Sequence, residues 1–193
     1  MIPARPSHGT RGGDGDPPTA RSTAALTHAF RERRYRAVTL EKIISGGQTG
    51  VDRGALDAAL ASGFPCGGWC PEGRKAEDGR IPDRYPVAEL SGADYLVRTR
   101  QNVIDADGTL VLHFTELAGG TLNTVRLCER FKKPVLVLDG DGLDPDAAAG
   151  KAAAFVRSQA IRTLNVAGPR ESGHVGAQAY AEQVVACLLQ NMR

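Results

Sequence analysis

The sequence predicts an α/β protein built on an open, mostly parallel sheet with helices on both faces. Three observations predict it. From Val38 onward, short apolar runs alternate with longer stretches of helical periodicity, as in chained βαβ units. Several runs, such as Val135-Leu136-Val137-Leu138, are continuously apolar rather than alternating, as strands covered on both faces require. The runs end in glycine or another turn-former, where a strand hands over to a helix.

Taken in order, Leu40 to Ser45 reads as a strand, Gly46 to Gly50 as a turn, and Val51 to Ser62 as a helix with Leu56 and Leu60 on one face. Gly63 stops that helix. Phe64 to Trp69 reads as a second short strand, followed by a long polar loop from Cys70 to Pro86. A connection of that length inside a compact domain is more often functional than idle. Thr99 to Asp105 reads as helix, Thr109 to Phe114 as strand, Thr121 to Phe131 as helix and Pro134 to Leu138 as buried strand. Pro145 to Gln159 is helical in pattern, Thr163 to Ala167 is the last strand, and Gly176 to Met192 is an amphipathic helix.

Two regions follow: a flexible tail over residues 1–37 and a ligand-binding domain over 38–193. In the tail, Pro3, Pro6, Gly9, Gly12, Gly13, Gly15, Pro17 and Pro18 break any regular element, and only Ala24 to Tyr35 has the makings of a short helix. Removing residues 1–36 is expected to leave folding and ligand binding intact.

The formal net charge of +2 is unevenly spread. Seven arginines against Asp14, Asp16 and Glu32 give the tail an excess of four positive charges, so the remainder stands near −2. Such a body lacks a basic stripe, and nucleic acid is not the expected partner. A phosphorylated small molecule is. With no apolar run long enough to span a bilayer and no secretory core, the expected location is the cytoplasm, without membrane attachment. Cys66, Cys70, Cys128 and Cys187 form no CxxC pair and are expected to stay reduced and unpaired. His113 reads as a core or rim residue rather than a metal ligand.

The chemistry concentrates at glycine turns. In Gly46-Gly47-Gln48-Thr49-Gly50, two adjacent glycines stand where a strand meets a helix. There the backbone approaches a phosphate closely, with N–H groups and the helix dipole facing the anion. Gln48 and Thr49 add neutral donors. The same residues also suit a plain tight turn capped by Thr49 or Asp52. A second turn is Ala118-Gly119-Gly120-Thr121, with Asn123 and Thr124 following, and a third is Asn165-Val166-Ala167-Gly168-Pro169-Arg170-Glu171-Ser172, where a strand ends in Gly-Pro. In open parallel sheets ligands sit outside the carboxyl ends of strands, so the three can converge on one crevice. Arg170 then serves as an oxyanion clamp, against the plainer reading of a solvated arginine. In the long loop, Trp69 and Lys75 are candidates for stacking a ring and pairing an anion, against a solvated loop that Trp69 anchors. On this footing Gly47→Val and Gly120→Val are both expected to weaken phosphate binding more than stability.

Together, GGQTGVD (Gly46 to Asp52), GWCPEGRKAEDGRIPDRYP (Gly68 to Pro86), RTRQNVIDADGTLVL (Arg98 to Leu112), GGT (Gly119 to Thr121) and LNVAGPRES (Leu164 to Ser172) resemble the molybdenum-cofactor carrier family. That family belongs to the Rossmann-like, lysine-decarboxylase-like SLOG superfamily. The resemblance runs from about residue 40 to the end and implies a homodimer or homotetramer. It implies binding of molybdenum cofactor (molybdopterin), a pterin with a dithiolene and one phosphate, for protection or delivery to cofactor-dependent enzymes without chemical turnover. It also brings Arg100 and Asn102 among the ligand contacts. The expected binding set is Gly46, Gly47, Gln48, Thr49, Trp69, Lys75, Arg100, Asn102, Gly119, Gly120, Thr121, Asn123, Gly168, Arg170 and Ser172, with no catalytic or metal-ligating residue.

Phosphoribohydrolase relatives carry a catalytic glutamate three residues after the threonine of their glycine turn. Here that place holds Thr124, which is no general base near neutral pH. The alternatives are a nucleotide or nucleotide-sugar hydrolase using Glu116, Asp105 or Asp107, and a nucleotide-sensing module.

Overall fold

The structure, a computed structural model, describes residues 39–92 and 94–193. The expected tail, including its short helix, lies outside the described residues.

The central sheet holds β1 (Lys42–Ile44), β2 (Cys66–Gly67), β7 (Gly108–His113), β8 (Val135–Asp139) and β9 (Thr163–Ala167) in the order β2-β1-β9-β7-β8, with every neighbouring pair parallel. Its connections run through α1 (Val51–Ala61), α2 (Tyr95–Asp105), α3 (Gly119–Arg130), α4 (Pro145–Ser158) and α5 (Ala177–Asn191). Helices α1 and α4 both pack on α5, while α2 packs on α3. This is the open parallel α/β sheet with helices on both faces, a Rossmann-like fold.

The main core lies between the sheet and the α1, α4, α5 layer, with Ile43, Leu110, Leu112, Leu164 and Val166 against Ala55, Ala59, Ala152, Val156, Val184 and Leu188. Small residues let the helices approach closely. A Cβ at Gly54 of α1 would run into the backbone oxygen of Gln178 on α5.

The strand order has a consequence for ligands. From β1, the first described strand, the chain moves out to β2, crosses to β7 and β8, and returns to insert β9 between β1 and β7. The loop after β7 leads to α3, and the loop after β9 leads to α5 in the other layer. A crevice therefore opens at the carboxyl ends of β9 and β7, where connections diverge.

Two expectations about elements are corrected. The helix expected at Thr99 begins at Tyr95, because the Asp94 side chain accepts from Leu96 N and Val97 N, each at 2.9 Å. Its first turn exposes Tyr95, Leu96 and Val97, so amphipathic periodicity does not announce it.

The long loop is not bare coil either. It contains β3 (Trp69–Pro71), a 3₁₀ turn (Glu72–Arg74), a hairpin of β4 (Lys75–Ala76) and β5 (Gly79–Arg80), and leads to β6 (Ala88–Leu90), which pairs with β3. Leu56, Cys70, Ile81, Tyr85 and Val87 give it a small core of its own. Arg74, 8% exposed, ties it together by donating to the carbonyls of Ile81 (3.1 Å), Val87 (2.8 Å), Pro82 (3.0 Å) and Tyr85 (2.9 Å).

Candidate functional site

A crevice of about 420 Å³ lies at the carboxyl ends of β1, β9 and β7, walled by α2 on one side and by the start of α3 on another. That volume is in the range of small-molecule sites.

The first glycine turn enters this crevice already furnished with protein partners. Ser45 Oγ donates to Val166 O at 2.7 Å, fixing the end of β1 beside β9. Gly50, at φ 76, abuts Pro169 and Arg170 of the third turn, and Val51 N donates to Pro169 O at 3.2 Å. The leading N–H of α1 is thus engaged by the third turn. Gly47, at φ 74, points its missing side chain at Ile81 and Val87; its glycine serves backbone conformation and packing.

Glu77, from the β4–β5 hairpin, joins the first and third turns. Its carboxylate accepts from the hydroxyls of Thr49 and Ser172, its own N–H donates to Gln48 Oε1 at 2.9 Å, and Arg170 lies 3.9 Å away. Burial opposes ionisation of Glu77, but the bonds from Ser172 and Thr49 and the Arg170 charge outweigh it and hold the carboxyl below its usual range.

Above Gly46 sits an ion pair. Arg98 of α2 places Nη1 2.9 Å from Asp52 Oδ2 of α1, with both side chains largely buried. Arg98 Nη1 occupies the space a Cβ at residue 46 would take. Two buried donors beside this pair, Arg98 Nε and Gln48 Nε2, find no acceptor among the described residues. The Gln48 amide cannot turn round to relieve this, because Oε1 already accepts from Thr49 N at 3.0 Å and Glu77 N at 2.9 Å. Each unmade bond of this kind costs roughly 1–3 kcal/mol.

The open helix terminus is that of α3. Its N-cap, Ala118, offers no side-chain bond. The first internal donor is Leu122 N to Ala118 O at 3.1 Å, so the N–H groups of Gly119, Gly120 and Thr121 have no acceptor among the described residues. They line the crevice, and space for a Cβ at Gly120 is empty. The bare N–H groups and the helix dipole favour an anion there. Arg170, half exposed and 5.0 Å from the Tyr95 ring centroid, lines the same crevice. Thr124 lines it too, but its hydroxyl donates to Gly120 O at 3.0 Å.

Of the residues expected from sequence, Gly46, Gln48, Asn102, Gly119, Gly120, Thr121, Asn123, Gly168, Arg170 and Ser172 line the crevice. Gly47 and Thr49 stand behind its wall. Trp69, Lys75 and Arg100 are not brought to it. The Trp69 indole donates to Asp105 Oδ2 at 2.6 Å and lines a different hollow, Lys75 is exposed, and the Arg100 guanidinium lies over the Phe131 ring at 5.6 Å. Asn102 uses its amide on the Trp69 backbone, accepting at 2.9 Å and donating at 3.0 Å.

The binding set expected from sequence lacked Asp52, Tyr95, Leu96, Arg98 and Thr99, which the crevice includes, and also Asn165, although the third turn begins with it. The signal for Arg98 was present. Residues 98 and 102 share a helical face at i, i+4, whereas residue 100 points away from both.

The carboxylates offered for hydrolysis are elsewhere. Asp105 bonds Trp69 and Gln101, Asp107 accepts from Arg162 N and Thr163 N at the amino end of β9, and Glu116 is exposed outside the crevice lining. No cluster of potential metal ligands occurs among the described residues. All four cysteines are free thiols, and burial pushes those of Cys66, Cys70 and Cys128 up. No described helix is long and apolar enough to cross a membrane.

Residues 43–189, spanning all three glycine turns, match the model of a family described as the circularly permutated YpsA SLOG family. The chain belongs to that family. A solved structure from Syntrophus aciditrophicus SB, named "putative molybdenum carrier protein", is 41% identical over 78% of this chain and 96% of its own, with a TM-score of 0.76. No curated protein matches the chain. Within this circularly permutated SLOG chain, the described crevice coincides with the glycine turns that the family model covers.

Proposed function

We propose that this protein binds molybdenum cofactor in the crevice and holds it for protection or delivery, without transforming it. The observation that carries the reading is the pairing of an open anion site with a threonine, Thr124, where hydrolytic relatives carry their glutamate. The bare α3 terminus and Arg170 supply donors for a phosphate. The carboxylate in the crevice wall, Asp52, is held in an ion pair with Arg98, and Thr124 occupies the place of the glutamate in hydrolytic relatives. Similarity to the Syntrophus protein that bears the name "putative molybdenum carrier protein" supports the choice of ligand. Delivery to cofactor-dependent enzymes and a homodimeric or homotetrameric state belong to the same proposal.

The test measures protection of molybdenum cofactor from oxidation alongside release of free base from a panel of nucleoside monophosphates. Protection with no efficient release is the expected result. Efficient turnover without protection gives the protein to the hydrolases. Removing a general base typically costs a hundred- to ten-thousand-fold in rate, so trace release does not count as turnover.

A further inference from the structure

We propose that the β1 end of the crevice reads a cyclic lactam edge, a ring N–H beside a ring carbonyl, as found in 6-oxopurines and pterins. The proposal rests on the phosphate site described above and gives the crevice a direction, with ring at β1 and phosphate at α3. Both hydrogen bonds that Asp52 accepts, from Arg98 Nη1 at 2.9 Å and Gln48 N at 3.3 Å, fall on Oδ2. Oδ1 takes none from the described residues and remains an acceptor in the crevice wall. The same wall holds two buried donors without acceptors among the described residues, Gln48 Nε2 and Arg98 Nε, and Gln48 is held in this orientation by two backbone N–H groups on Oε1.

An acceptor beside orphaned donors is the complement of N–H beside C=O. The ring N–H donates to Asp52 Oδ1, and the ring carbonyl accepts from Gln48, after a small shift of the Arg98 side chain. Adenine, with an acceptor nitrogen beside an amino group, presents the reverse order and meets a carboxylate with a lone pair. The Asp52–Arg98 pair also holds the carboxylate in place without consuming both oxygens.

The experiment is calorimetric titration of the full chain with GMP, IMP, AMP, ribose 5-phosphate and 6-hydroxymethylpterin phosphate, with guanosine and adenosine as phosphate-free arms. GMP and IMP are expected to bind on the order of 5- to 150-fold more tightly than AMP, the span of one well-placed hydrogen-bonded base contact. The pterin and GMP arms separate the two sources of the edge: tight pterin binding with weak GMP favours the cofactor, and the reverse assigns a 6-oxopurine and ends the carrier reading while keeping the lactam edge.

Equal affinity for GMP, AMP and ribose 5-phosphate overturns the edge and leaves the phosphate site standing. If no phosphate ester binds, the phosphate site falls, and guanosine against adenosine still decides the edge. In D52N the amide oxygen must stay on the Arg98 side, which puts an NH₂ where Oδ1 stood, so GMP/AMP discrimination collapses to about twofold or less while ribose 5-phosphate affinity is kept. Should that variant fail to fold, Q48E removes the donor while retaining both bonds to Oε1, and the same collapse is expected. Undiminished discrimination in a folded Q48E overturns the assignment.

Discussion

The guanidinium of Arg98 rests on the Cα of Gly46, in the space where any other residue would carry its Cβ. The glycine that sequence assigns to a phosphate cradle also seats an internal cation. That cation is anchored by Asp52 from the helix that the same turn begins.

Gly46 has no left-handed φ, so alanine is allowed by the backbone there and acts mainly by displacing Arg98, with a lesser crowding of Asp52 Oδ2 at 2.9 Å. Gly46→Ala is expected to cost about 1–3 kcal/mol of stability, the range for overpacking. Arg98→Ala leaves Asp52 buried without its partner and is expected to cost on the order of 3–5 kcal/mol. Because both act through one contact, the double variant should be no less stable than Arg98→Ala alone. Additive losses in urea denaturation would show that the two residues do not share this role.

The glycines of the first two turns are expected to separate. Gly47→Val forces a β-branched side chain into φ 74 and toward Ile81 and Val87, so its main effect is a lowered melting temperature. Gly120→Val projects into open space beside the free N–H groups of α3, so the fold tolerates it while phosphate-ester affinity drops about tenfold or more. Thermal melts and titration with ribose 5-phosphate on the same samples check both.

The Glu77 staple gives a pH dependence of known sign. Its carboxyl is held below the ordinary 4.5 when folded, so the stabilisation is present above that value and is lost as pH falls through the lower folded pKa. Asp78, lowered chiefly by the hydrogen bonds from Arg53, adds in the same direction. Glu77→Gln is expected to flatten the stability profile below pH 4.5 and to loosen Arg170 at neutral pH. An unchanged acid limb in urea melts taken at successive pH values would falsify the staple.

Arg74 adopts φ 53, costly for a residue with a side chain, and four carbonyl acceptors hold it there. Lysine has the charge but not the planar fork, so Arg74→Lys is expected to behave almost as badly as Arg74→Met, each losing on the order of 2–4 kcal/mol. Faster protease cleavage within residues 75–84 is the local readout. A lysine variant as resistant as wild type would mean that charge alone organises the segment.

What the sequence determined by itself was the layer order and the three strand-to-helix turns. Continuous Val/Leu runs have few burial solutions, and a glycine between a strand and a helix marks its turn without help from the rest of the chain. Tertiary structure alone decided which turn stays open. Gly46 and Gly119 begin similar motifs, but only the strand order brings Pro169 onto Val51 and Arg98 onto Gly46, while the N–H groups of Gly119 to Thr121 find no acceptor among the described residues.

The same holds for the charged loop. Arg74 and Lys75 are neighbours of one sign in sequence, yet one is buried among carbonyls and the other is exposed. Local composition carries no record of which direction a side chain will face until distant segments have packed. Trp69 was likewise legible as a loop anchor, but its partner, Asp105, is 36 residues away, and that distance sets it outside the crevice.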